Sequence, residues 1–151
     1  IGCRGSQQQR QAFFTHLHRS PLSGGWWFAN KAFMHAIILF AHGSRDPQWH
    51  KPIQSVAERI TQRSPATLVR CAYLELTEPD LPHVANELVA QGATSLSVVP
   101  MFLGVGRHAR EDLPELIRTL KVNHPSVDIQ CQPAVGEQAQ LLDLLADIAL
   151  R

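Results

Sequence analysis

From residue 35 onward the chain alternates between two kinds of apolar pattern. His35 to Ala41 (HAIILFA) is almost wholly apolar, as expected of a strand covered on both faces. Asp46 and Pro47 then supply an N-cap and a first-turn proline. Trp49, Ile53, Val56, Ala57 and Ile60 follow at helical spacing and predict the buried face of a first helix. Pro52 falls inside that pattern and predicts a late start or a kink. Thr67 to Leu74 reads as a second strand. Asp80 and Pro82 open a second helix with Leu81, Val84, Ala85, Leu88 and Val89 on one face, closed by Gly92. Ser95 to Met101 is a third strand, followed by a glycine-bearing loop, Phe102 to His108. Asp112 and Pro114 mark the start of a third helix carrying Leu113, Leu116, Ile117 and Leu120. Val127 to Cys131 reads as a fourth strand and Glu137 to Leu150 as a closing helix.

Strand and helix thus alternate four times. That order predicts an α/β fold: a small, open, parallel four-stranded sheet, doubly wound, with right-handed crossovers and helices on both faces. Residues 1–33 do not share the pattern. They mix Gln, Arg, Ser and Gly with isolated aromatics, show no sustained period, and lack the apolar core of a signal peptide. We read them as a non-native or disordered N-terminal extension ahead of a domain at 34–151, with Met34 as the natural start. A mitochondrial-type presequence is the rival, because the stretch is basic and free of acids. Its His16 and His18 form an H-x-H pair that we leave outside the site.

Bulk composition narrows the picture a little. A formal net charge of +1 makes no case for nucleic-acid binding, so any anionic ligand must be met by a local group of Arg and Lys. No apolar run approaches the roughly 20 residues that cross a bilayer. Three cysteines, Cys3, Cys71 and Cys131, form no CxxC pair and no even framework. They fit a reduced, cytoplasmic protein with buried thiols.

Candidate chemistry gathers on one edge of the sheet. Parallel strands deliver all their C-terminal ends to the same rim. His42 follows the first strand, Glu75 the second, and His108 lies in the loop after the third, 33 residues apart in each case. Two imidazoles and a carboxylate suit a divalent Co, Fe, Ni or Zn ion. Spacing alone leaves a turn histidine or a capping carboxylate open. His42 as a phosphatase nucleophile would call for Arg-His-Gly, and Ala41 stands where that Arg belongs. A serine hydrolase would call for a GxSxG elbow, and Ser44 lies in HGSRD instead.

The HGSRD after the first strand, the YLELTEP around Glu75 and the PMFLGVGRHAREDLP after the third resemble the sirohydrochlorin chelatase family, and within it the short, single-unit cobaltochelatase branch. The resemblance runs from Met34 to Arg151. It implies His42 and His108 as metal-site histidines with Glu75 at the nearby acidic position, and all three as catalytic. It further implies insertion of Co²⁺ or Fe²⁺ into a tetrapyrrole without ATP. The metal is then a substrate, and no tightly bound cofactor is expected. One unit where longer relatives have two fused lobes implies a homodimer. Arg45, Arg107 and Arg110 are candidates for the substrate carboxylates. Ser44 is a further polar contact, and Phe102 and Leu103 an apolar floor. A non-catalytic metal carrier or tetrapyrrole-binding module would use the same residues.

Overall fold

The computed structural model describes residues 33–151, with the backbone alone at 107–109. The expectations for residues 1–32, Cys3 and the His16–His18 pair lie outside the described residues. Strand β1 (His35–Ala41) leads through a four-residue 3₁₀ turn (Pro47–His50) into helix α1 (Lys51–Arg63). Then come β2 (Leu68–Tyr73), α2 (Leu81–Ala90), β3 (Ser95–Pro100), α3 (Arg107–Asn123) and β4 (Asp128–Cys131). A second 3₁₀ turn (Val135–Glu137) precedes α4 (Ala139–Ala149).

All strand pairs are parallel, in the order β2-β1-β3-β4. β1 is therefore central, and Leu39 is flanked by Cys71 on one side and Val99 on the other. Its side chains alternate between two cores, as a strand's period of two requires. Ala36, Ile38 and Phe40, with Leu96, Val98 and Ile129, pack against Leu81, Val84 and Leu88 of α2 and Leu113, Ile117 and Leu120 of α3. Leu39 and Val69 face the other way, toward Ile53, Val56 and Ile60 of α1. The doubly wound parallel sheet anticipated from the apolar pattern is the observed fold.

The late start that Pro52 predicts for α1 is observed, and two further boundaries differ from expectation. The segment after Asp46 is not yet α-helix: Asp46 caps a 3₁₀ turn by accepting from the Gln48 N–H at 2.9 Å, and α1 begins only at Lys51 with Pro52 in its first turn. Proline is accepted there because a first-turn N–H has no intrahelical partner. Trp49 consequently lies off the buried face of α1 and is 73% exposed. α3 starts at Arg107, not near Asp112, and carries Pro114 inside it. Its N-cap is Gly106, whose carbonyl accepts from the Arg110 N–H at 3.1 Å. His108 thus belongs to the first turn of a helix rather than to a loop. The closing helix is split in the same way, with Glu137 in the 3₁₀ turn.

α2 follows the sequence closely. The Asp80 carboxylate accepts from the His83 N–H at 2.8 Å, and Gly92, at φ +99°, ends the helix. Both described cysteines are free thiols; Cys71 is half-buried, whereas Cys131, on the edge strand β4, is exposed rather than buried.

Candidate active site

In a sheet ordered β2-β1-β3-β4 the chain leaves β1 for one side and later returns on the other. The crevice of such a sheet opens at the C-terminal ends of the two strands where this reversal occurs, here β1 and β3. His42 is the first residue beyond β1, and Met101 and Phe102 are the first beyond β3. The Met101 N–H donates to the Phe40 carbonyl at 2.7 Å and so extends the pairing to the rim.

Gly43 then turns the chain with φ +89°, a conformation that side-chain-bearing residues rarely adopt. A Cβ there would fall 2.0 Å from the Glu75 carbonyl oxygen. The same approach lets the Glu75 N–H donate to the His42 carbonyl at 3.0 Å. Two of the anticipated site residues are therefore joined through their backbones, and Gly43 permits it. Both side chains are exposed at the rim. The His42 ring rests on Phe102, with centroids 4.3 Å apart at 35°. Phe102 is buried and meets Phe40 edge-on at 5.8 Å, so the platform under His42 is part of the core.

His42 opens onto a cavity of about 500 Å³ whose wall includes Trp49, His50, Tyr73, Met101 and Leu103. The next residues brace it. Ser44 uses its hydroxyl to accept from the Asp46 N–H at 3.0 Å, and its carbonyl faces His50 Nε2 at 3.0 Å. A carbonyl only accepts, so Nε2 carries the hydrogen, and a neutral His50 ring keeps its lone pair on Nδ1. The ring lies 4.8 Å from that of Tyr73. Burial pushes the Tyr73 phenol up from its ordinary range, and the neighbouring Cys71 adds to this. Burial likewise raises the Cys71 thiol.

The other anticipated residues are dispersed. Arg45 is exposed on the loop beside Ser44, and Leu103 is exposed at the cavity lip. Arg107 and His108 lie on the first turn of α3, where the backbone alone is described. Arg110 lines a second hollow, of about 390 Å³, with Phe102, Leu113 and Glu137 on its wall. Among the described residues, which exclude the His108 side chain, no three His, Cys, Asp or Glu side chains converge on a metal-sized site. Trp49, His50, Tyr73 and Met101 were not singled out by the sequence as site residues. The pair Pro47 and Pro52 was the available signal for Trp49 and His50, because prolines at both ends of a short segment favour a turn over a helical face.

Comparison with known proteins decides the family. The CbiX family model matches residues 36–150. This chain belongs to the CbiX family. The structure of a CbiX protein from Marinobacter aquaeolei, described as putative in cobalamin biosynthesis, superposes with a TM-score of 0.66 at 36% identity. That match covers 76% of this chain and 93% of the other. The sirohydrochlorin chelatase SirB of Bacillus subtilis, solved in complex with cobalt, gives 0.65 at 29% identity, covering 78% of this chain and 52% of SirB. A sirohydrochlorin cobaltochelatase of Methanococcus aeolicus is 34% identical over 84 residues, 56% of this chain and 59% of that enzyme. Matches to three such archaeal enzymes span between 58% and 64% of their length. The CbiX match begins one residue into β1 and takes in every element of the sheet.

Proposed function

We propose that this CbiX-family chain inserts a divalent metal, Co²⁺ or Fe²⁺, into sirohydrochlorin, releasing two pyrrole protons and consuming no ATP. The observation that carries this reading is the position of His42: an exposed imidazole at the reversal point of the sheet, seated on Phe102 at the mouth of an apolar cavity of about 500 Å³. Cavities of that order accommodate small organic ligands. The names of related CbiX-family proteins supply the tetrapyrrole class.

In the proposed reaction His42 and His108 present the metal, and Glu75 draws it to the rim and accepts the two released pyrrole protons in turn, passing each to solvent. A neutral imidazole serves either as ligand or as proton acceptor near neutral pH. A metal that must be handed on is better held by few ligands than by a closed set of four. Arg45, Arg107, Ser44 and Leu103 meet the periphery of the macrocycle, with Arg110 approaching from the far side of Phe102. In this reading a second copy of the chain completes the enclosure. No described helix is long and apolar enough to cross a membrane.

The test is the absorbance change of sirohydrochlorin on adding Co²⁺ and Fe²⁺ side by side. Catalysed conversion with either metal is expected, and His42→Ala should abolish it while the circular dichroism spectrum is unchanged. Tetrapyrrole binding without catalysed conversion would replace this reading by that of a carrier module. Full activity in His42→Ala would sink the assignment of His42.

A further inference from the structure

We infer that Trp49 is the residue on which the flat face of the macrocycle stacks, an inference that rests on the tetrapyrrole reading above and assigns it a binding wall. Trp49 is 73% exposed, yet it lines the same cavity as His42. An exposed indole is not by itself a site. What distinguishes this one is how firmly its backbone is held. Its own N–H donates to the Asp46 carbonyl at 3.1 Å, and the Asp46 carboxylate takes the Gln48 N–H at 2.9 Å. On its other side His50 is fixed to the Ser44 carbonyl at 3.0 Å and lies against Tyr73. Pro47 opens the turn and Pro52 follows it, restricting the backbone at both ends. The turn therefore holds a large aromatic ring out of the core at the edge of an apolar hollow, and none of these contacts relieves the exposure of the indole.

A conjugated macrocycle offers two broad π faces, and an indole is the side chain with the largest matching surface. Because the turn is braced in advance, little ordering is needed when the ring docks. Met101 and Leu103, just beyond β3, line the same hollow together with the rings of Tyr73 and Phe102. Among the aromatic rings lining that cavity, Trp49 is exposed where Tyr73 and Phe102 are buried, and so it is the one a ligand beside His42 can stack on.

Trp26 and Trp27 are the other two tryptophans of the chain, so replacing both by Phe leaves Trp49 as the sole indole reporter. In that background metal-free sirohydrochlorin is expected to quench the Trp49 emission with a saturable curve. Trp49→Ala should weaken binding by about tenfold or more, the scale of losing one aromatic stacking partner, and raise KM far more than it lowers kcat. Trp49→Phe should recover most of the affinity. Since the side chain is exposed, neither variant should alter the circular dichroism spectrum. Normal turnover in the unsubstituted chain together with an unchanged KM in Trp49→Ala would overturn the inference and leave the proposed function intact. The same holds if Trp49→Ala changes only the oligomeric state. If the unsubstituted chain neither binds nor metallates sirohydrochlorin, the proposed function fails and this inference falls with it.

Discussion

At Gly43 a positive φ coincides with a carbonyl oxygen standing where a side chain would begin. Gly43→Ala must either strain the left-handed backbone or push Glu75 away from His42. Strain of this kind costs about 1–3 kcal/mol, and the steric clash adds to it. A loss of unfolding free energy of at least that size, read from denaturant titrations, is expected, accompanied by loss of the proposed metallation. Tyr73 permits a test of opposite character. Its phenol and the Cys71 thiol are raised in the folded protein by burial. Between the ordinary and the raised value the folded state holds a proton that the unfolded state has lost, so stability is full below the ordinary values and falls as pH rises through them. Denaturant midpoints measured upward from pH 8 should therefore decline, and Tyr73→Phe should remove the part of the decline that sets in at the phenol's ordinary range. A slope that Tyr73→Phe leaves unaltered would show that Tyr73 does not contribute.

At the level of elements, the strands and α2 were legible because burial on defined faces writes itself as a period. HAIILFA carries side chains for two cores at once, and Asp80 and Gly92 bracket α2 with the chemistry that helix ends need. The turn at Pro47–His50 was legible only through Pro47 and Pro52, since Trp49 stands at helical spacing from Ile53 yet is left exposed by the turn. The start of α3 escaped for a related reason: Gly106 caps it without a side-chain hydrogen bond, while Asp112 and Pro114 imitate a start further on. His42 and Glu75 could be placed on one rim from parallel strand direction alone, but their backbone bond, and the cavity beside them, depend on Gly43 and on the side chains of further elements. Pro114 carries its own prediction. It removes one hydrogen bond from the interior of α3, where proline costs about 3 kcal/mol or more in an unconstrained helix. Pro114→Ala should therefore raise the melting temperature, and an unchanged or lower value would show that the missing hydrogen bond costs α3 nothing.

At the scale of the molecule, α4 stands out among the described α-helices for how little of it is covered. Leu142, Leu144, Leu145 and Ile148 are all exposed, and the helix buries none of its residues outright. Apolar side chains gathered on one exposed helix mark an interaction surface. Under the proposed pairing of two copies, Leu145→Asp combined with Ile148→Asp should shift sedimentation toward the monomer. An unchanged sedimentation coefficient would move the interface elsewhere.

β1 is bonded on both sides, and its amides close only when β2 and β3 are in place. A ligand held at the end of such a strand has no local opening through which to escape stabilising the rest, because the site exists only when the centre of the sheet does. Occupancy at His42 should therefore slow amide exchange along β1 and β3, far from any contact, by the same factor that it lowers the globally unfolded population. The chain would carry a record of its metal or macrocycle in its deepest hydrogen bonds, where hydrogen exchange can read it without any turnover at all.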